Sequence, residues 1–185
     1  MRETLEIELI YMDQDNFKER LLQHLLHVAT DNGWLQGTLL ASPDIDQAWL
    51  RYAPSYYGDA VREFNAYPEY ALACAGYLGM AVAALWDEDW TKYENVPYSF
   101  FQGKRGFDDM DDHITDNILE DVQLSLPAMQ SCSAAAYHFL LKEAPEPGTA
   151  DAYRMFLAAV EDLFKIGAAI WLSHLGYKFE KVNLN

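Results

Sequence analysis

Residues 70–86 read YALACAGYLGMAVAALW, 17 residues without a charge. That length stands at the short edge for crossing a bilayer, which takes about 20 apolar residues in a helix. The flanks argue for a different role. Glu69 precedes the stretch, Asp87, Glu88 and Asp89 follow it, and no basic residue stands on either side. A helix that is apolar all round is also what the centre of a bundle requires. Small residues crowd this one: Ala71, Ala73, Ala75, Gly76, Gly79, Ala81, Ala83 and Ala84. Gly76 and Gly79 each cost about 1 kcal/mol of helix propensity relative to alanine. Close approach of neighbouring backbones offsets that cost, so the segment near 68–90 is expected to be the buried axis of the fold. Asp87 to Trp90 marks where it leaves the core.

Working outward, the spacing predicts helices on both sides. Phe17, Leu21, Leu22, Leu25, Leu26 and Ala29 recur at helical steps between about Asn16 and Asp31, with Gly33 just past the end. Ser42 suits an N-cap, Pro43 the first turn and Asp44 the positive end of the helix dipole, opening a helix to about Tyr52. Ala53-Pro54-Ser55 reads as a break, followed by a helix from about Tyr57 to Ala66. Residues 5–11 fit either an alternating strand, whose one plausible partner is 177–182, or a helix; helix or irregular structure is the favoured reading. Residues 91–106 show no period and read as an ordered aromatic loop. Helix returns from about Phe107 to Asp121, and again from Pro127 to about Lys142. Residues 144–148 form a Pro/Gly break a turn long. Thr149 caps a last helix to about Leu175, with Gly176 beyond it; Glu161 and Lys165 pair along its outer face. No repeat or low-complexity segment is present. The expectation is an all-α, irregular bundle of about six or seven helices in one domain spanning 1–185.

Composition narrows the function classes. Acidic residues outnumber basic ones by 29 to 13, for a net charge of −16. Nucleic-acid phosphates and anionic membrane surfaces are therefore expected to be poor partners, whereas a basic protein would be steered toward this surface. Cys74 and Cys132 sit in apolar helical stretches and read as buried hydrophobes. Residues 1–6 carry acids where an export signal has basic residues, so a cytoplasmic location is expected.

Two constellations stand out. On a helix over 107–121, Asp109, Asp112, His113, Asp116 and Glu120 fall within one arc, opposite Phe107, Met110, Ile114 and Ile118. Carboxylates and an imidazole on one face can hold a divalent metal, with Asp109 and His113 one turn apart. The plainer reading is a solvated helix face whose early acids complement the dipole. In the loop before it, Tyr93, Tyr98, Phe100 and Phe101 stand beside Lys104 and Arg105. Aromatics with arginine have the composition of a binding surface, although ordinary packing uses the same residues. Gly103-Lys104-Arg105-Gly106 lacks P-loop spacing, and its two cations are expected to pair with Asp108, Asp109 or residues 87–89.

No nucleophile elbow, HExxH motif, doubled Glu-x-x-His motif or EF-hand loop is present. His24 and His27 flank an apolar face, and His138 and His174 each lie within an apolar helix. No cofactor is predicted beyond the divalent metal just considered. The function read from sequence is a non-catalytic acidic protein engaging a basic protein partner, of adaptor or toxin-neutralising type. The alternative is a helical-bundle enzyme or a metal or small-molecule binder using the 107–121 face.

Overall fold

The computed structural model describes residues 2–143 and 146–178, with side chains from Asn16 onward. Six α-helices follow in order: α1 (Arg2–Asp31), α2 (Pro43–Glu63), α3 (Pro68–Tyr93), α4 (Met110–Ile114), α5 (Val122–Glu143) and α6 (Ala150–His174). Among the described residues there is no strand, only an isolated antiparallel bridge between Gly103 and Gly106. The fold is an all-α bundle around α3, which meets α6, α5, α2 and α4. From Cys74 to Ala83 every residue of α3 is buried, so its apolar, small-residue composition serves protein packing.

The closest seam lies between α3 and α6. A side chain on Gly79 would run into the Phe164 carbonyl and Ala168 N, and one on Gly167 into the Gly76 carbonyl. Glycine on both partners brings the two backbones into contact, the condition expected for helices that must pack tightly. Leu72, Leu78, Met80, Phe156, Leu163 and Ile170 fill the space around the seam, each 2% exposed or less.

The helix boundaries follow local chemistry. Ser42 Oγ accepts from Asp44 N at 3.2 Å, with Pro43 in the first turn of α2. Thr149 Oγ1 accepts from Ala152 N at 3.2 Å to open α6. Gly33 and Gly176 take φ of +80° and +99° just beyond α1 and α6, a left-handed conformation that glycine adopts without strain. At Asp89 (φ −167°, ψ 89°) the α-helical path of α3 is interrupted, and Asp89 Oδ1 accepts from Lys92 N at 3.2 Å to restart the last turn.

Several expected breaks are absent. α2 runs through Ala53-Pro54-Ser55 without stopping. Trp49, Tyr52, Ala53, Tyr56 and Ala60 are buried along one face of it, while Pro54 and Leu50 face solvent. The carbonyl that loses its amide partner to proline is then on the wet side, where water satisfies it. Pro127 likewise lies inside α5, which starts earlier, at Val122, where Asp121 Oδ1 accepts from Leu124 N at 3.1 Å. α1 begins at Arg2, so residues 5–11 are helical and not a strand; residues 179–182 of the alternative pairing lie outside the described residues. The expected regular helix over 107–121 is a composite. A 3-10 turn (Phe107–Asp109) leads into α4, which widens into a π turn (Thr115–Leu119) and ends at left-handed Glu120 (φ 55°).

Candidate functional site

The chain reverses between α2 and α3 over Phe64 to Tyr67. Phe64 anchors the reversal against the rings of Phe156 and Tyr153, at 5.2 and 5.8 Å between centroids. A residue before proline is held near extended geometry, and Tyr67 (φ −130°, ψ 68°) accordingly leaves the helical path. Its ring remains 73% exposed. The reversal forms one wall of a cleft of about 640 Å³, lined by Glu63, Ala66, Tyr67, Pro68, Glu69, Tyr70, Asp108 and Tyr137.

The lining has one sign of charge. Three carboxylates and three tyrosines face the space, and among the described residues no lysine or arginine does. Glu63, Glu69 and Asp108 form no salt bridge among the described residues. Other carboxylates are neutralised locally: Asp109 by Arg105, Glu143 by Arg20, Asp59 by Arg62, and Glu161 by Lys18 and Lys165.

Hydrogen bonds hold the floor of the cleft in place. Tyr70 donates its hydroxyl proton to the Phe107 carbonyl at 2.6 Å and lies 3.3 Å from Asp111 Oδ1. Its ring meets Phe107 edge-on at 5.3 Å. Burial, and then the neighbouring Cys74 and Asp111, push the Tyr70 phenol far above its ordinary range, so it stays a neutral donor. Burial also raises the Asp111 carboxyl and the Cys74 thiol one turn further in. Cys74 is therefore inert packing rather than a nucleophile.

The loop residues singled out in the sequence have separate fates. Phe101 is buried, and Tyr98 is half-buried with its hydroxyl donating to Asp59 Oδ2 at 2.8 Å. Gln102 donates to the same oxygen at 3.0 Å, pinning the loop to α2. Phe100 is exposed against Tyr93, 6.2 Å between centroids, and Lys104 faces solvent. Arg105 grips Asp109 through its side chain at 2.6 Å and its backbone N–H at 3.0 Å, which holds the Asp109 carboxyl below the usual range.

The acidic face of 107–121 is also partly committed. His113 Nε2 lies 3.0 Å from the Phe100 carbonyl, which can only accept, so that nitrogen carries the proton and Nδ1 faces Asn117 at 3.3 Å. Asp112 and Asp116 are exposed. Among the described residues, no three His, Cys, Asp or Glu side chains converge as a metal-binding group. His138 and His174 do not meet and both are exposed. His138 shares a groove with His24, which stacks on Phe139 at 5.5 Å; His174 lies 3.3 Å from Asp121.

The cleft itself is not apparent from the sequence. The local signal was present in Glu63, Tyr67-Pro68 and Glu69, an aromatic before proline between two acids. Asp108 and Tyr137 join it only through the packing of α4 and α5 beside α3. No protein-family model, curated protein or solved structure matches this chain, so the cleft is read from its own residues.

Proposed function

We propose that this protein is a non-catalytic binding module for a basic protein partner, and that the cleft between α2 and α3 receives a lysine or arginine side chain of that partner. The observation that carries the reading is the lining: three carboxylates that form no salt bridge among the described residues, walled by Tyr67, Tyr70 and Tyr137. A cation entering such a space gains charge attraction from Glu63, Glu69 and Asp108 and attraction from aromatic faces. Guanidinium fits best, because it is planar, stacks on rings and donates two parallel bonds to a carboxylate. The net charge of −16 adds long-range steering toward a basic surface. The fixed floor at Tyr70 lowers the ordering cost of binding. An adaptor or neutralising role for a basic protein follows from the same features.

Titration calorimetry with an arginine-rich peptide, against a glutamate-rich control, tests the proposal. Exposed ion pairs contribute about 0.5 kcal/mol each. Replacing all three acids (Glu63→Gln, Glu69→Gln, Asp108→Asn) should therefore weaken binding about tenfold and flatten its salt dependence. If the triple variant binds with unchanged affinity and salt slope, the cleft is not the site.

A further inference from the structure

Asp162 lies in the middle of α6 and is fully buried, and neither carboxylate oxygen has a hydrogen-bond partner among the described residues. It stands on a face of α6 distinct from the glycine seam. Met155, Ala159, Ile166 and Ala169, placed one and two turns either side of it, are buried too. α1 runs against α6, and Lys18 of α1 binds Glu161, the residue next to Asp162. Among the described residues, the charged groups that act on Asp162 are Lys18 from α1 and Lys165 and Glu161 from α6. On α2, Asp46 senses the Lys165 and Glu161 pair, and Tyr57 senses Asp162 itself. Both lysines are engaged with Glu161 and neither bonds to Asp162.

A carboxylate stripped of water and given no hydrogen bond is too costly to keep. The group avoids the cost by holding its proton. We infer that Asp162 makes the seating of α1 on α6 depend on a proton: α1 stays seated while the buried acid is neutral and loosens as the solution becomes more alkaline.

The direction follows from the two states. Unseated, Asp162 meets water and has an ordinary carboxylate value near 3.8; seated, burial pushes it up to about 8. Between those values the seated form holds one more proton. Seating is therefore strongest in acid, weakens about tenfold per pH unit through the window, and levels off above about pH 8. Lys18 and Lys165 oppose this trend by favouring the charged form, but burial dominates.

Amide hydrogen exchange on the full chain between pH 5 and pH 8, corrected for the intrinsic chemical rate, tests the inference. The α1 amides over 20–30 should open more readily than the α3 amides over 72–82. Their protection should fall on the order of a hundredfold from pH 5 to pH 7. In Asp162→Asn, which carries a permanently neutral group of the same shape, α1 protection should be flat across the range and higher at pH 7. Three results would overturn the inference: a flat wild-type profile, an unchanged slope in the variant, or α1 protection equal to that of α3 at every pH. Should the variant fail to fold, the wild-type profile is read with a carbon-13 titration of the Asp162 carboxyl, and a midpoint near 4 overturns it.

Discussion

Adding one methyl group to Gly79 tests the packing at the centre of this fold. The new carbon would lie 2.9 Å from Ala168 N and 3.0 Å from the Phe164 carbonyl carbon, with the Phe164 oxygen closer still. All three are backbone atoms of α6, so no side chain can rotate aside. Overpacking a core costs about 1–3 kcal/mol and sometimes more, and an obstacle made of main chain places Gly79→Ala at the top of that range. Helix propensity returns about 1 kcal/mol, leaving a net loss of about 2 kcal/mol or more. For a chain of this size each kcal/mol moves Tm by about 2–4 °C, so calorimetry should show a fall of about 4–8 °C or more. Gly167→Ala should behave alike, since its methyl group would lie 2.8 Å from the Gly76 carbonyl carbon. Gly76→Ala presses first on the Met129 thioether, a flexible group that can yield, and should cost less. Gly58, in α2, has nothing within 4 Å of the added carbon; Gly58→Ala should stabilise by up to about 1 kcal/mol. The four variants should differ in order as well as in sign. An unchanged or raised Tm in Gly79→Ala, or a Gly58→Ala loss as large as that of Gly167→Ala, would refute a backbone-to-backbone seam.

Two further outcomes follow from the same packing. Thr149→Ala removes the cap on the Ala152 amide and should cost about 1 kcal/mol, seen as a Tm lower by about 2–4 °C; no change would mean that the start of α6 contributes nothing to stability. Cys74 and Cys132 are free and buried, and burial pushes the Cys132 thiol up to about 12. A disulfide reagent at pH 8 should therefore leave both unlabelled in the native protein and label both in denaturant, whereas rapid native labelling would show that the core opens at one of them.

Much of the fold was legible because its signals are local. The uncharged stretch with acidic flanks identified α3, and Ser42-Pro43, Thr149, Gly33 and Gly176 marked helix ends through chemistry contained within one turn. The failures share a cause. Pro54 and Pro127 were read as boundaries from their intrinsic cost, yet both helices continue through them. In α2 that cost is met on a solvent-facing side while Trp49, Tyr52 and Tyr56 hold the other side in the core. Whether a proline breaks a helix thus depends on which face it occupies and on how well the flanking turns are buried. The π turn at 115–119 is similar: it places Ile114 and Leu119 in the core, a spacing of five that a regular helix does not give.

The site was harder to read because acidic residues are common in this chain and their meaning depends on what neutralises them. Asp109 and His113 drew attention through their density, and the fold engages one with Arg105 and the other with the Phe100 carbonyl. Glu63 and Glu69 looked unremarkable because they sit in different helices. The Tyr67-Pro68 reversal makes them neighbours: proline holds Tyr67 out of the helix, so the last acid of α2 and the first acid of α3 border one space. Glu69 is favoured there independently, at the positive end of the α3 dipole. Asp108 arrives from some forty residues downstream because Tyr70 fixes the Phe107 carbonyl. A single hydroxyl therefore joins the packing of the central helix to the charge of the cleft. Tyr70→Phe should loosen residues 107–111 and weaken cation binding together, although no carboxylate has been removed.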